Sequence, residues 1–371
     1  MRIGINIEPL VEEKFTGVQF YTLFLLKYLF SIDKKNQYFL FSPGRLNFSI
    51  GEYDNVRIVS FGLIKSRIRW RIFVLPYLVM RYKIDVFHSL NYYLPNLFLS
   101  KAKRVVTIHD ICFCFADNFY DSTYNDFLKE QTSCSIKKAD IIITVSNKVK
   151  ADIVKVYNIP ESKMRTVYNG ISNDVITPYS QRDNVLKKYN LQKDYLVNVG
   201  MLGYKKNHIN IVKAYSSVSQ KLRNIDVDLV IIGSRGYKSE LVDKLISDSS
   251  LNNKVHILEY VPRPDAIALM KFAKCLVFPS KCEGFGLPIL EAFLLGVPVI
   301  TSSTTATKEV AGDACVLVDP NNVDEISRGM TRVLSDEKLC SILVKKGRER
   351  AKQFTWEQSA KQVLKVYSEL G

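Results

Sequence analysis

No apolar run among the 371 residues is long enough to cross a bilayer as a helix. Gln19–Ile32 is broken by Lys27, and Ile72–Met80 is closed on both sides by Arg71 and Arg81. The chain opens on the strand-like Arg2–Ile5, so no secretory leader is expected. Seven cysteines, at 112, 114, 134, 275, 282, 315 and 340, include no C-x-x-C pair, and several lie in apolar runs. Free buried thiols in a reducing compartment are expected, not a disulfide framework. Histidine is scarce, and His88, His208 and His256 lack metal-ligand spacing. There is no internal repeat, low-complexity tract, zinc-finger spacing or RNP-like aromatic motif, so nothing supports nucleic-acid binding beyond charge. The expected location is cytoplasmic, with the inner face of a membrane as a candidate contact.

What the chain has is an ordinary globular composition, 47% hydrophobic and 24% charged, with a net charge of +15. The basic excess is divided between the halves. Residues 1–175 hold 24 Lys/Arg against 16 Asp/Glu and the remainder 28 against 21, so +8 and +7. Such a balance suits anionic small ligands or an anionic surface. Short apolar runs alternate with helical patterns. The first series is Arg2–Asn6, Tyr38–Phe41, Val56–Ser60, Val86–His88, Arg104–Ile108 and Ile141–Val145. The second is Tyr195–Val199, Asp228–Ile232, Val255–Leu258, Cys275–Phe278, Val297–Thr301 and Cys315–Val318. This alternation predicts an α/β protein with parallel sheets covered on both faces. A polar stretch, Ser172 to Lys193, divides the two series into two Rossmann-like domains.

The segment Pro279-Ser280-Lys281-Cys282-Glu283-Gly284-Phe285-Gly286-Leu287-Pro288-Ile289-Leu290-Glu291 follows one of these strands. Pro288 suits the first helical turn and Gly296 the helix end. Strand, glycine loop, helix and strand make a βαβ unit whose helix N-terminus can face an anion. Glu283 precedes that helix and Glu291 is expected in its first turn. Two carboxylates beside a phosphate-binding helix end suit a ligand with both phosphate and hydroxyls, such as a nucleotide-sugar. A second E-x7-E pair, Glu349 and Glu357, lies in a charged helical stretch without glycines and reads as a solvated face.

E-G-F-G-L-P-I-L-E-A-F followed by G-V-P-V-I resembles the donor-site signature of the retaining family 4 glycosyltransferases of the GT-B fold, nearest to mannosyltransferase-like members of surface polysaccharide synthesis. Related stretches occur in order along nearly the whole chain: Thr16-Gly17-Val18, Thr107-Ile108-His109-Asp110, Val145-Ser146, Tyr168-Asn169-Gly170-Ile171, Val199-Gly200 with Lys205-Lys206-Asn207, Gly233, Tyr260-Val261 and Glu309 to Asp313. The resemblance implies an acceptor-binding domain over residues 1–180 and a nucleotide-sugar-binding domain over 194–355. It also implies a terminal helix, 356–371, packing back on the first domain, and sheets facing across a cleft.

It further implies transfer of a hexose, with GDP-mannose the first expectation, to a growing and lipid-linked polysaccharide. His109, Glu283 and Lys206 are the catalytic candidates. Gly17, Lys205, Lys206, Tyr260, Val261, Glu283, Gly284, Phe285, Gly286, Leu287 and Glu291 are the donor-binding candidates. A basic pair after a parallel strand and before a helix capped by Asn207 can offset charge building on a departing diphosphate, so no metal and no cofactor is expected. Where many relatives carry an arginine after the strand, this chain has Met201. The D-x-D triplet Asp226-Val227-Asp228 enters a strand and reads as structural. Lys65–Phe73, basic and aromatic, is the candidate membrane contact. The rival readings are a non-catalytic GT-B subunit binding a glycan or partner enzyme, and a nucleotide-sugar epimerase.

Overall fold

The computed structural model describes residues 1–12, 15–46, 48–61, 66–97, 100–116, 119–172, 175, 181–221 and 226–371. Two units share the chain. The first comprises Met1–Cys114, Thr123–Ser172 and Phe354–Gly371, and the second Phe115–Ser122 and Asn173–Gln353.

The first unit is built on a seven-stranded parallel sheet in the order β3-β2-β1-β4-β5-β6-β7. Its strands are β1 (Arg2–Asn6), β2 (Gln37–Ser42), β3 (Val56–Ser60), β4 (Val86–Ser89), β5 (Lys103–Ile108), β6 (Ile141–Thr144) and β7 (Met164–Thr166). All of β4 and β6 is buried, as apolar runs covered on both faces require. Two of its helices start where the sequence supplies an oxygen to a free backbone N–H. Ser146 Oγ accepts from Val149 N at the head of Asn147–Tyr157, and Thr355 Oγ1 accepts from Gln358 N at the head of Trp356–Ser368.

The last helix, Trp356–Ser368, packs on Gly17–Ile32. Trp356 stacks on Phe24 with ring centroids 6.0 Å apart, and Ser359 Oγ donates to Tyr168 O at 2.6 Å. A Cβ on Gly170 would stand 2.1 Å from Trp356 N, so only glycine lets these backbones meet. A buried chain of polar groups ties the same helix to the sheet. Tyr367 OH lies 2.7 Å from His88 Nδ1, and His88 Nε2 lies 2.9 Å from Thr107 Oγ1. Burial pushes the His88 pKa down to about 3, so the ring is neutral at physiological pH.

The second unit carries a six-stranded parallel sheet in the order β10-β9-β8-β11-β12-β13. Its strands are β8 (Asp194–Val199), β9 (Val227–Ile232), β10 (Val255–Leu258), β11 (Cys275–Phe278), β12 (Val299–Ser302) and β13 (Val316–Val318). Leu196, Leu229, Ile231, Val277 and Ile300 from the sheet meet Ile211, Val212, Tyr215, Ile326 and Met330 from the helices in one core.

The expected strands are present within a residue or two. β7 was not expected, and the polar stretch between the series contains a helix, Arg182–Lys188. Cys114, Cys134, Cys275, Cys315 and Cys340 are free thiols. The free thiols do not include Cys112 and Cys282, so the expectation does not hold for those two. Among the described residues, no helix is long and apolar enough to cross a membrane.

Candidate functional site

In the second sheet the chain runs outward from β8 through β9 to β10, then returns to β11 on the other side of β8. The carboxyl ends of β8 and β11 therefore flank the point where strand order reverses, the place where open α/β sheets hold ligands. Two glycines shape the approach. Gly200, after β8, has φ +150°, and Gly233, after β9, has φ +153°. A Cβ on Gly233 would lie 2.1 Å from Gly200 O. Their loops pair backbone to backbone, with Leu202 N donating to Ser234 O and Gly236 N to Leu202 O, each at 2.8 Å.

The β8 loop then turns into helix His208–Lys221, bringing Lys205 and Lys206 to the strand ends. His208 fixes this turn from beneath. Burial pushes its pKa down to about 4, so the ring is neutral. Nδ1 accepts from Gly203 N at 3.1 Å, and Nε2 donates to Asn198 Oδ1 at 2.9 Å. Asn198 Nδ2 in turn donates to Val277 O of β11 at 2.7 Å. Asn207 was expected to cap the helix. Instead its Nδ2 donates to Pro279 O at 2.9 Å and Pro320 O at 2.6 Å, holding the β11 loop against the β8 loop.

Lys206 Nζ lies 2.5 Å from Glu283 Oε1 and 4.7 Å from the centroid of the Phe278 ring. Its stem rests on Gly200, where a Cβ would come within 2.9 Å of Lys206 Cε. Both side chains are largely withdrawn from water, at 20% and 10% exposure. Removing either partner in such surroundings is costly, because the other charge is left largely buried and unpaired. Lys205 Nζ contacts Tyr120 OH at 3.1 Å, and Lys205 O accepts from Lys281 N at 3.0 Å. Lys281 Nζ sits 4.0 Å over the Tyr204 ring. Three cations thus gather in two adjoining loops.

Gly284, Phe285 and Gly286 are buried, and Leu287 opens helix Leu287–Leu295. Gly286 has φ +110°, and a Cβ there would press on Ile289 and Thr307 at 3.1 Å. Pro288 stands in the first turn and Gly296 closes the helix in the left-handed conformation. Glu291 lies in the second turn, not the first, so the helix dipole does not account for it. Its Oε1 meets Arg263 Nη1 at 2.8 Å, with the carboxylate 9% exposed. Arg263 begins helix Arg263–Lys271 just after Tyr260 and Val261. Tyr260 is exposed and Val261 buried. The pair thereby fixes the Tyr260–Val261 segment to the helix that carries Glu291.

Sequence reasoning missed Arg263, Lys281 and Tyr120. Arg263 follows the flagged Tyr260-Val261 by two residues, and Lys281 lies inside the flagged loop, so both could have been read as cations beside it. Tyr120 had no such signal. Met201, where many relatives carry arginine, is half exposed, and a Cβ on Gly236 would lie 2.9 Å from its Cγ.

In the first unit the order reverses between β1 and β4. Gly17 is the first residue of the helix that follows β1, and a Cβ there would meet nothing within 4 Å. Thr16 precedes it, and Gln19 Oε1 accepts from Thr16 N at 3.0 Å. His109 ends the loop edge of β5, half-buried, with Nε2 2.8 Å from Leu90 O. A carbonyl only accepts, so Nε2 carries the proton and Nδ1 keeps a lone pair in the neutral ring. Burial lowers the His109 pKa. The Tyr21 ring, from the helix beginning at Gly17, meets the His109 ring edge-on at 4.7 Å. Each unit's candidates are thus grouped at its own reversal point.

The D-x-D triplet is occupied otherwise. Asp226 pairs with Lys193 at 2.9 Å, and Asp228 Oδ2 meets His256 Nε2 at 2.8 Å. Among the described residues there is no group of three or more His, Cys, Asp or Glu arranged to hold a metal ion.

Two parallel-sheet units of Rossmann type define a protein of the GT-B class. Residues 181–350 match the model of glycosyl transferases group 1, and residues 15–175 that of glycosyltransferase family 4. The chain is 32% identical to the O-antigen chain mannosyltransferase B of Escherichia coli over 77% of its own length and 74% of that protein. It is 29% identical to the N-acetylgalactosamine-N,N'-diacetylbacillosaminyl-diphospho-undecaprenol 4-alpha-N-acetylgalactosaminyltransferase of Campylobacter jejuni, over 68% of this chain and 65% of that one. In fold it is similar to sucrose-phosphate synthase from Thermosynechococcus elongatus, with a TM-score of 0.79, 18% identity and coverage of 100% and 98%. The chain belongs to the glycosyl transferases of group 1, family 4.

Proposed function

We propose that this glycosyltransferase is a retaining, metal-independent mannosyltransferase. It takes its sugar from GDP-mannose and delivers it to a hydroxyl of a growing, lipid-linked polysaccharide at the cytoplasmic face of a membrane. The observation that carries the reading is the 32% identity, across three quarters of both chains, to an O-antigen chain mannosyltransferase.

The chemistry of the reversal point supports it. Negative charge builds on the diphosphate as the glycosidic bond breaks, and fixed cations lower that barrier. Lys206 and Lys205 are those cations, with Lys281 beside them. Glu283 holds Lys206 in place and offers its second oxygen to a sugar hydroxyl. Glu291, oriented by Arg263, accepts from ribose hydroxyls. The backbone of Gly284–Leu287 approaches the sugar and phosphate, and Tyr260 and Val261 flank the base. In the first unit, Gly17 leaves room for a ligand, and neutral His109 accepts a hydroxyl proton at Nδ1. Glu283 is given no role as a covalent nucleophile.

Thermal stabilisation by GDP-, UDP-, ADP- and dTDP-sugars, in EDTA, tests the reading, because a ligand of the native state raises its melting temperature. Stabilisation by GDP-mannose that is lost in Glu291→Ala is expected. Stabilisation by UDP-N-acetylgalactosamine instead would move the donor assignment to N-acetylgalactosamine, the sugar named for the second relative. A response only with divalent metal would overturn metal independence.

A further inference from the structure

Residues 55–84 carry seven Lys or Arg and no Asp or Glu. Within them lies a continuous helical rod: an α-turn at Arg67–Arg69, a π-helical turn at Trp70–Val74 and an α-helix at Leu75–Arg81. Five large apolar side chains on it face solvent. Ile68 is 69% exposed, Ile72 54%, Phe73 68%, Tyr77 52% and Met80 39%. On a uniform α-helix the spacing i, i+4, i+5, i+9 and i+12 would spread them over half the circumference; the wider π-turn at Trp70–Val74 brings them to one side.

The opposite side anchors the rod. Trp70, Leu75, Leu78 and Val79 are buried, and Trp70 Nε1 donates to Asn6 Oδ1 at 3.4 Å. The π-turn helps to place Trp70 inside while Ile72 and Phe73 point outward. Arg71 makes bonds of 2.9 to 3.2 Å to both Glu8 oxygens and lies 4.9 Å over the Tyr93 ring. Arg67 pairs with Glu12. Arg69 and Arg81 are exposed and form no ion pair among the described residues.

An apolar ridge anchored from behind, with no carboxylate in its own sequence and with Arg69 and Arg81 left without ion pairs among the described residues, is complementary to a surface that is both apolar and anionic. We propose that this face of Arg67–Arg81 docks on an anionic lipid bilayer, with Ile68, Ile72, Phe73, Tyr77 and Met80 entering the headgroup boundary and Arg69 and Arg81 meeting lipid phosphates. A second copy of the chain would set these arginines against their own kind. The surface reaches two turns beyond the Lys65–Phe73 stretch that the sequence suggested, and Lys65 itself lies outside the described residues. The inference gives a partner to the membrane placement proposed above. Vesicle binding is read without donor or acceptor, so its failure and that of sugar transfer are distinguishable.

The test is flotation of the full chain with vesicles of phosphatidylcholine alone and of phosphatidylcholine with phosphatidylglycerol. Wild type should bind the anionic vesicles at least about tenfold more tightly, since each cation near such a surface contributes about fivefold. Ile72→Asp with Phe73→Asp should cut that binding at least about tenfold. Arg69→Glu should weaken it and reduce its salt dependence. All three positions are exposed, so melting temperatures should stay near wild type. Equal binding to neutral and anionic vesicles, no binding, or binding unchanged in the variants would overturn the proposal. So would a dimer in sedimentation that the Ile72→Asp, Phe73→Asp variant dissolves.

Discussion

Lys206 Nζ and Glu283 Oε1, 2.5 Å apart, join the loops after β8 and β11 across the reversal point of the second sheet. The ammonium thus has a protein partner before any ligand arrives. On the proposed function, an incoming diphosphate would compete with Glu283 for Lys206, and the displaced carboxylate would be freed toward the sugar. Lys206→Ala should lower kcat by on the order of 10²–10³, the usual effect of losing one charge-stabilising donor. It should also destabilise the fold by about 1–3 kcal/mol, because a largely buried carboxylate is left without its cation. Glu283→Gln keeps the shape and should cost less stability, with a comparable loss of transfer. Retention of kcat within tenfold in Lys206→Ala would remove it from the reaction.

Glu291 and Arg263 should behave as a unit in donor binding. Glu291→Gln should weaken nucleotide-sugar affinity by about 1.5–3 kcal/mol, as expected for bonds to a charged group. Arg263→Ala should reproduce much of that loss by releasing Glu291, and the double variant should lose less than the sum of the two. Calorimetric titration of all three variants measures the coupling. Strict additivity would show that Arg263 does not position Glu291.

Two glycines in the first unit make opposite predictions. A Cβ on Gly17 meets open space, and helix propensity favours alanine there, so Gly17→Ala should leave stability unchanged or raise it by up to about 1 kcal/mol. On the proposed function its cost should fall on sugar transfer, because that reading reserves the space for a ligand. A Cβ on Gly170 collides with the Trp356 backbone, so Gly170→Ala should destabilise by about 2 kcal/mol or more. Urea unfolding beside initial rates separates the two. Full activity in Gly17→Ala would mean the glycine is not reserved for substrate.

Most of the fold was legible because it rests on patterns the sequence states locally. β6 is Ile-Ile-Ile-Thr and β11 is Cys-Leu-Val-Phe, and such runs have few alternatives between turn signals. Pro288 and Gly296 marked the helix they bound. β7, Met164-Arg165-Thr166, was missed because three residues at a sheet edge carry no periodicity. The positions of Glu283 and Lys206 could be read, but not their pairing, because the two residues are 77 apart in sequence and meet only when β8 and β11 become neighbours. Asn207 was misread for the same reason. Its helix-start position suggested a cap, whereas its amide serves carbonyls from Pro279 and Pro320, which only the fold brings near.

Two buried histidines predict acid sensitivity. Burial holds His88 at about 3 and His208 at about 4, against about 6.5 for an unfolded histidine. The folded state binds the neutral ring, so the full contribution is present above pH 6.5 and is lost as pH falls toward 4 and 3. By pH 5 each should have cost about 2 kcal/mol. Asp33 and Asp265, whose pKa values are lowered, lose their contributions at more acidic pH. Urea midpoints from pH 7.5 to 5 should fall in wild type and fall less steeply in His88→Asn. A flat profile in wild type would contradict the buried neutral assignment.

The most direct measurement is release of GDP from GDP-mannose by the purified chain in EDTA, with and without a lipid-linked saccharide acceptor. The account predicts acceptor-dependent release in wild type and a loss on the order of 10²–10³ in Lys206→Ala. Release that requires added divalent metal, or that proceeds equally in Lys206→Ala, would contradict a reaction driven by cations at the reversal point.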